Sequence, residues 1–274
     1  MQKIGFLKAM MHLPETPVQY SLLLDDQIIP MNEWIGHHVQ FVFHGQRSCI
    51  ACGRNVKKLY NSGYCYPCFT SLAECDLCIV KPHECHFDQG TCRDESFAMS
   101  HCMVPHYVYL AFSNHVKVGL TRKSRYMARW MDQGAIQAIP IAELPTRKMA
   151  GELEVSISQH IPDKTDWRKM LKGDFADVDL LETLAHVKTI VPAEFQPYLL
   201  SEEQIYEFTY PLLEQIDKVK SLSFDKLESL EGRLIGIKGQ YLLLDTGVLN
   251  IKKHAGYKVE IRFEKIQVEE SSAS

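Results

Sequence analysis

Tyr20-Ser-Leu-Leu-Leu-Asp25-Asp-Gln-Ile-Ile-Pro30-Met-Asn-Glu-Trp-Ile35-Gly-His-His-Val-Gln40-Phe-Val-Phe43 recurs, without a gap, as Gln240-Tyr-Leu-Leu-Leu-Asp245-Thr-Gly-Val-Leu-Asn250-Ile-Lys-Lys-His-Ala255-Gly-Tyr-Lys-Val-Glu260-Ile-Arg-Phe263. Identities fall at Leu22/Leu242, Leu23/Leu243, Leu24/Leu244, Asp25/Asp245, Gly36/Gly256, Val39/Val259 and Phe43/Phe263. Each copy reads as an apolar run, a turn, a second short run, a glycine and then an alternating segment. The alternation of Val39, Phe41 and Phe43, and of Val259, Ile261 and Phe263, is the pattern of a half-buried strand. A repeat at both chain ends predicts one β domain assembled from residues 1–45 and 203–266, with the rest of the chain inserted into it. Gln204–Leu212 and Lys218–Phe224 also read as strands and are expected to join that sheet. Neither end carries a chemical motif, so this domain is expected to be a scaffold or a surface for a protein partner. The polar tail, 267–274, reads as disordered.

The insertion opens with a Cys-rich module, residues 46–106, which holds all nine cysteines of the chain. Two thiolates separated by two residues can close on one metal from a tight turn, and two such pairs complete a tetrahedral zinc shell. Cys49, Cys52, Cys65 and Cys68 have that spacing, with Gly53 and Gly63 where the two turns need them. A structural zinc ribbon follows. Cys75 and Cys78 open a second site. Ligand chemistry alone does not separate Cys85, His86, Cys92, Cys102 and His106 as its other members. Cys92 and Cys102 are the pair favoured, which makes two structural zinc ions per chain.

The 274 residues allow one large domain or two to three small ones, and 46 % hydrophobic content is enough for packed cores. A net charge of −4 excludes a chain that is basic throughout, but not a local basic face. No apolar run reaches membrane-spanning length, and the N-terminus lacks the apolar core of a signal peptide. An odd cysteine count in metal-like pairs fits a reducing compartment. The expectation is a soluble, cytoplasmic protein with no membrane partner.

Residues 107–170 read as a small α/β unit. Tyr107–Phe112 and Val116–Leu120 form a hairpin about Ser113-Asn114. Arg122 to Asp132 is a helix with apolar positions Tyr126, Met127 and Trp130, ended by Gly134. Ala135–Leu144 is a third strand. A second helix starting at Pro145 carries Met149, Leu153 and Ile157 on one face. Asp163-Lys-Thr-Asp-Trp-Arg168 follows, and 171–202 is a helical connector punctuated by Pro192 and Pro197.

This order of hairpin, helix, strand and helix resembles the GIY-YIG nuclease superfamily. Val108-Tyr109-Leu110 is similar to its first motif, and Lys117-Val118-Gly119 to its second. Arg129 matches the helix arginine, with Arg125 as its rival. Ala150 and Glu154 match the glutamate motif. The resemblance covers roughly residues 107–166 and departs from the pattern at Lys117, where the superfamily has tyrosine. The whole layout also resembles an uncharacterised prokaryotic family that combines a Cys-rich zinc module with a GIY-YIG-like domain. The resemblance implies phosphodiester hydrolysis. In it Tyr109 assists the attacking water, Arg129 clamps phosphate, and Glu154 holds Mg²⁺. Lys117 would add positive charge beside the phosphate.

Two stretches free of acidic residues support nucleic acid as the partner. One carries Lys117, Arg122, Lys123, Arg125 and Arg129. The other carries Arg47, Arg54, Lys57 and Lys58, with Tyr60, Tyr64, Tyr66 and Phe69 interleaved. Two functions of different class follow. One is an Mg²⁺-dependent nuclease acting through Tyr109, Lys117, Arg129 and Glu154. The alternative is a non-catalytic zinc module on a decayed nuclease fold that binds nucleic acid or protein. The fold class expected is α+β, with a split all-β domain, a zinc-ribbon-like insertion and a GIY-YIG-like α/β unit.

Overall fold

The computed structural model of the chain describes residues 1–266. The tail expected to be disordered, 267–274, lies outside the described residues. In chain order the strands are β1 (Gln2–Leu13), β2 (Gln19–Leu24), β3 (Gln27–Pro30), β4 (His38–Arg47), β5 (His106–Phe112), β6 (Val116–Arg122), β7 (Gln137–Leu144), β8 (Tyr206–Glu207), β9 (Ser221–Leu222), β10 (Ser229–Lys238), β11 (Tyr241–Leu244), β12 (Gly247–Asn250) and β13 (Tyr257–Glu264). The helices are α1 (Tyr66–Ser71), α2 (Glu95–His101), α3 (Tyr126–Asp132), α4 (Arg147–Ser158), α5 (Trp167–Lys172) and α6 (Leu180–Ile190). The fold is mixed α+β and divides into two compact units, residues 1–65 with those from 210 onward, and residues 66–209. The division falls inside the Cys-rich stretch, so residues 46–65 group with the chain ends and 66–106 with the insertion.

The first unit holds a nine-stranded sheet of order β3-β2-β1-β13-β4-β10-β11-β12-β9. Apart from β9, that order is a palindrome of the two repeat copies. Antiparallel β4 and β13 lie at its centre, where Phe41 pairs with its own counterpart Ile261, and Val39 with Phe263. Matching details repeat outward. Asp25 accepts from the Phe6 amide at 3.1 Å, and Asp245 from the Arg233 amide at 3.0 Å. Gly36 donates to the Leu234 carbonyl and Gly256 to the Leu7 carbonyl, each at 2.7 Å. Each copy's glycine therefore ties down the first strand of the other copy. The alternating residues Val39, Phe41, Val259, Ile261 and Phe263 are buried, as period-two patterning requires.

One expected strand goes elsewhere. Of Gln204–Leu212, Tyr206–Glu207 pairs with β7 of the smaller sheet, and Leu212 makes an isolated bridge to Gly236. Pro211 lacks the N–H that a continuous ladder needs. Within Lys218–Phe224, β9 does join the large sheet, parallel to β12.

The second unit is built on a four-stranded antiparallel sheet, β6-β5-β7-β8. Val108, Leu110, Val118, Leu120, Ile139 and Ile141 face a core completed by Leu153 and Ile157 of α4 and by Leu184 and Val187 of α6. Opposite parity puts Tyr109, Lys117 and Gly119 on the other face. There the α3 side chain Trp130 meets the Tyr109 ring edge-on at 5.6 Å between centroids. Helix α4 starts at Arg147, capped by Thr146, whose hydroxyl accepts from the Met149 amide at 3.3 Å. Asp166 in the Asp163–Arg168 cluster caps α5 through the Arg168 and Lys169 amides. The 3₁₀ turn Pro82–Glu84 sits against α4 at Gly151, where a Cβ would lie 2.6 Å from the His83 amide nitrogen. No helix among the described residues is long and apolar enough to cross a membrane.

Candidate functional site

Two constellations of side chains stand out, and the first is the cysteine quartet. Its turns form as their glycines dictate. Gly53 has φ +72° and donates to the Cys49 carbonyl at 2.9 Å, while Ile50 donates to the Gly63 carbonyl at 2.9 Å. The four sulfurs of Cys49, Cys52, Cys65 and Cys68 lie within 4.8 Å of one another, and those of Cys52 and Cys65 are 3.7 Å apart. A tetrahedral zinc with bonds of about 2.3 Å sets its sulfurs about 3.8 Å apart. Burial raises the Cys49 thiol, but the amides of Cys52, Cys65 and Ala51 and the Cys52 thiol outweigh it and bring the group down to about 6. A thiolate held ready among four sulfurs at this spacing fits zinc.

The other cysteines are not grouped in this way. Cys78, Cys85, Cys92 and Cys102 line one cavity, whereas Cys75 is not among its lining residues. Cys78 also closes with Asp76 and His86 to within 4.8 Å.

The second constellation lies on the Tyr109 face of the four-stranded sheet. Tyr109 sits opposite Gly119, where a Cβ would be 2.6 Å from the tyrosine oxygen. Only glycine leaves room for that ring. The Tyr109 hydroxyl donates to Gln133 Oε1 at 3.1 Å and is hydrogen-bonded with Arg129. Arg129, not its rival Arg125, therefore stands beside Tyr109 and Glu154; Arg125 neighbours Arg122. Arg129 is exposed to solvent.

Glu154 reaches the free edge of β6, where the Leu120 amide supports its carboxylate. Burial pushes Glu154 up to about 7, aided by Asp163 and opposed by Arg129 and Arg147. Lys117 is 5 % exposed. Burial and Arg129 bring its ammonium down to about 8, against the pull of Glu154 and Asp163. Burial also lowers Arg147, as does Arg129; burial, Arg125 and Arg147 lower Arg122. Arg129 thus acts as a repelling cation on Lys117 and Arg147, and Arg125 and Arg147 on Arg122.

One expected role needs correction. To touch an attacking water, Tyr109 would need an open hydroxyl, but the residue is 0 % exposed. Its hydroxyl is turned to Arg129 and Gln133 instead.

A family model described as "Protein of unknown function (DUF2797)" matches residues 36–259. The chain belongs to the DUF2797 family. The matched span of this DUF2797 chain contains all nine cysteines and both constellations. Curated proteins and solved structures yield no match. Two residues beside Glu154 and Tyr109 had no role in the sequence argument: Arg147 and Gln133. Arg147 had a visible signal, since it precedes Glu154 by two helical turns and so shares its face of α4. Gln133, just past α3, had none.

Proposed function

We propose that this chain is a zinc-stabilised nucleic-acid-processing protein whose 107–170 unit, similar in its motifs to GIY-YIG nucleases, binds a phosphodiester and hydrolyses it with Mg²⁺. The observation that carries this reading is the meeting of Tyr109, Lys117, Arg129 and Glu154 at one cation-rich place. Zinc on Cys49, Cys52, Cys65 and Cys68 would have no open coordination position, so its contribution is to folding. Exposed Arg54, Lys57 and Lys58 in that module add sequence-independent phosphate contacts.

On this reading Arg129 takes the phosphate oxygens with its planar donor fork. The buried Tyr109 hydroxyl fixes the guanidinium. Lys117 supplies charge to the transition state from inside the wall. Glu154, with Asp163 near it, offers hard oxygen ligands suited to Mg²⁺. The metal, when bound, withdraws charge from the phosphate. Glu154 must first lose the proton it shares near neutral pH.

A second reading is supported by the burial of Tyr109 and Lys117, and by lysine at the place of a motif tyrosine: a non-catalytic module that binds nucleic acid or protein. A cleavage assay on mixed DNA and RNA with Mg²⁺ separates the two. Under the nuclease reading, Glu154→Ala and Arg129→Ala each reduce cleavage by about 10²-fold or more, and Glu154→Ala retains binding. Salt-sensitive binding with no cleavage by the wild-type protein would leave only the binder.

A further inference from the structure

Residues 72–106 contain little that would hold them together unaided. Four short 3₁₀ turns, Ala73–Cys75, Leu77–Ile79, Pro82–Glu84 and Phe87–Gln89, follow one another before α2. Such turns have little stability of their own. At their centre four thiols from four separate segments, Cys78, Cys85, Cys92 and Cys102, line one cavity together with Phe87 and Phe97. All four are free thiols. Convergence of reduced cysteines on an apolar cavity points to a metal centre that organises the segment.

The spacing argues against a single zinc. Among the described residues, the groups that close to within 4.8 Å are the Cys49 quartet and the trio Asp76, Cys78 and His86. In the trio His86 Nε2 lies 3.6 Å from Asp76 Oδ2, and both residues have further partners. Asp76 holds Arg93 Nε at 2.8 Å and the Leu77 amide at 2.6 Å, and His86 Nδ1 meets the Thr91 hydroxyl at 2.7 Å. No three of the four thiols around the cavity close to within 4.8 Å of one another, whereas one zinc draws its sulfurs to roughly 3.8 Å. Thiolates on different irons of a cluster must stand further apart.

We propose that Cys78, Cys85, Cys92 and Cys102 ligate an iron–sulfur cluster. The electrostatics agree. Four thiolates on a cluster leave net negative charge, and Arg147 and Arg122 stand near Cys102 to balance it. The Arg147 amide also donates to the Cys102 carbonyl at 2.8 Å. Since Arg147 interacts with Glu154 as well, the cluster would brace the same helix that carries the Glu154 carboxylate. The assignment does not depend on nuclease activity.

The test is metal and sulfide content of full-length protein purified without oxygen, then reconstituted with ferrous iron and sulfide. Wild type is expected to carry iron and acid-labile sulfide in similar amounts, a broad visible absorption band, and about one zinc on the remaining quartet. Cys85→Ser and Cys92→Ser should lose iron and the band while keeping zinc. Cys75→Ser should keep all three. Two zinc ions and no iron after reconstitution would overturn the proposal, as would iron bound without sulfide. Loss of the band in Cys75→Ser, with Cys85→Ser unaffected, would overturn the ligand set. Should the serine variants fail to fold, the wild-type iron and sulfide analysis decides by itself.

Discussion

Each of the two sheets buries one lysine. Lys238 on β10 and Lys117 on β6 are 3 % and 5 % exposed, and both ammonium groups are drawn down to about 8. Their surroundings differ. For Lys238 the cause is burial, with the Tyr210 ring 5.4 Å from its nitrogen. For Lys117 burial acts together with Arg129, Glu154 and Asp163. Burial of one charge is a packing event, tolerable anywhere in a sheet. A set of buried or half-buried charges that perturb one another is costly and is kept where chemistry uses it. On the proposed reading the nine-stranded sheet, built from two matching copies, is a scaffold, and the four-stranded sheet carries the reactive face.

Changes to the scaffold should cost stability and spare phosphate binding. Gly36 and Gly256 occupy equivalent places in the repeat with φ +91° and +85°. A Cβ at Gly256 would strike the Ser48 carbonyl and come within 2.8 Å of Leu59, whereas at Gly36 it would meet Leu213 at 3.5 Å. Gly256→Ala should therefore cost about 3 kcal/mol or more, and Gly36→Ala about 1–2 kcal/mol from backbone strain alone. Urea denaturation measures both. Equal losses would mean that the surroundings of the two copies matter less than their shared backbone.

The reactive face should show itself through pH. The folded state raises Glu154 to about 7, so its stabilising neutral form is complete below the unfolded value near 4.3 and is lost as pH rises through 7. Metal-free protein should lose roughly 2 kcal/mol between pH 5 and 8, allowing for partial solvent screening. Glu154→Gln should flatten that slope, and Mg²⁺ should do so in the wild type. A slope unchanged by both would remove Glu154 as its source.

The smallest effect sharpens the lysine comparison directly. Below pH 8 both lysines carry a buried charge, and each regains stability only as pH climbs from 8 towards 10.5. Lys238→Met and Lys117→Met should each stabilise the protein at pH 7 by about 1 kcal/mol. Only Lys117→Met should weaken binding of a phosphodiester oligonucleotide. Equal binding by the two variants would show that the charge cluster has no part in recognition.

Periods and spacings were legible in the sequence because they express local geometry. Alternation at 39–43 and 259–263 identified the central strands. The Cys-x-x-Cys pairs with Gly53 and Gly63 identified the first quartet, since both pairs are set by their own turns. The resemblance to GIY-YIG motifs, rather than any spacing rule, pointed to Tyr109, Gly119, Arg129 and Glu154. What the chain alone left open was every choice that depends on distant packing. Arg129 was separated from Arg125 by the hydrogen bond to Tyr109. The Tyr109 hydroxyl lost its expected contact with water because Gly119, Gln133 and Trp130 close around it. Cys85 joined Cys78, Cys92 and Cys102 because four consecutive turns fold back on one cavity, which no spacing rule describes. A strand or knuckle is specified by neighbours a few residues away. Solvent access, and the company a charge keeps, are specified by whatever the tertiary fold packs against it.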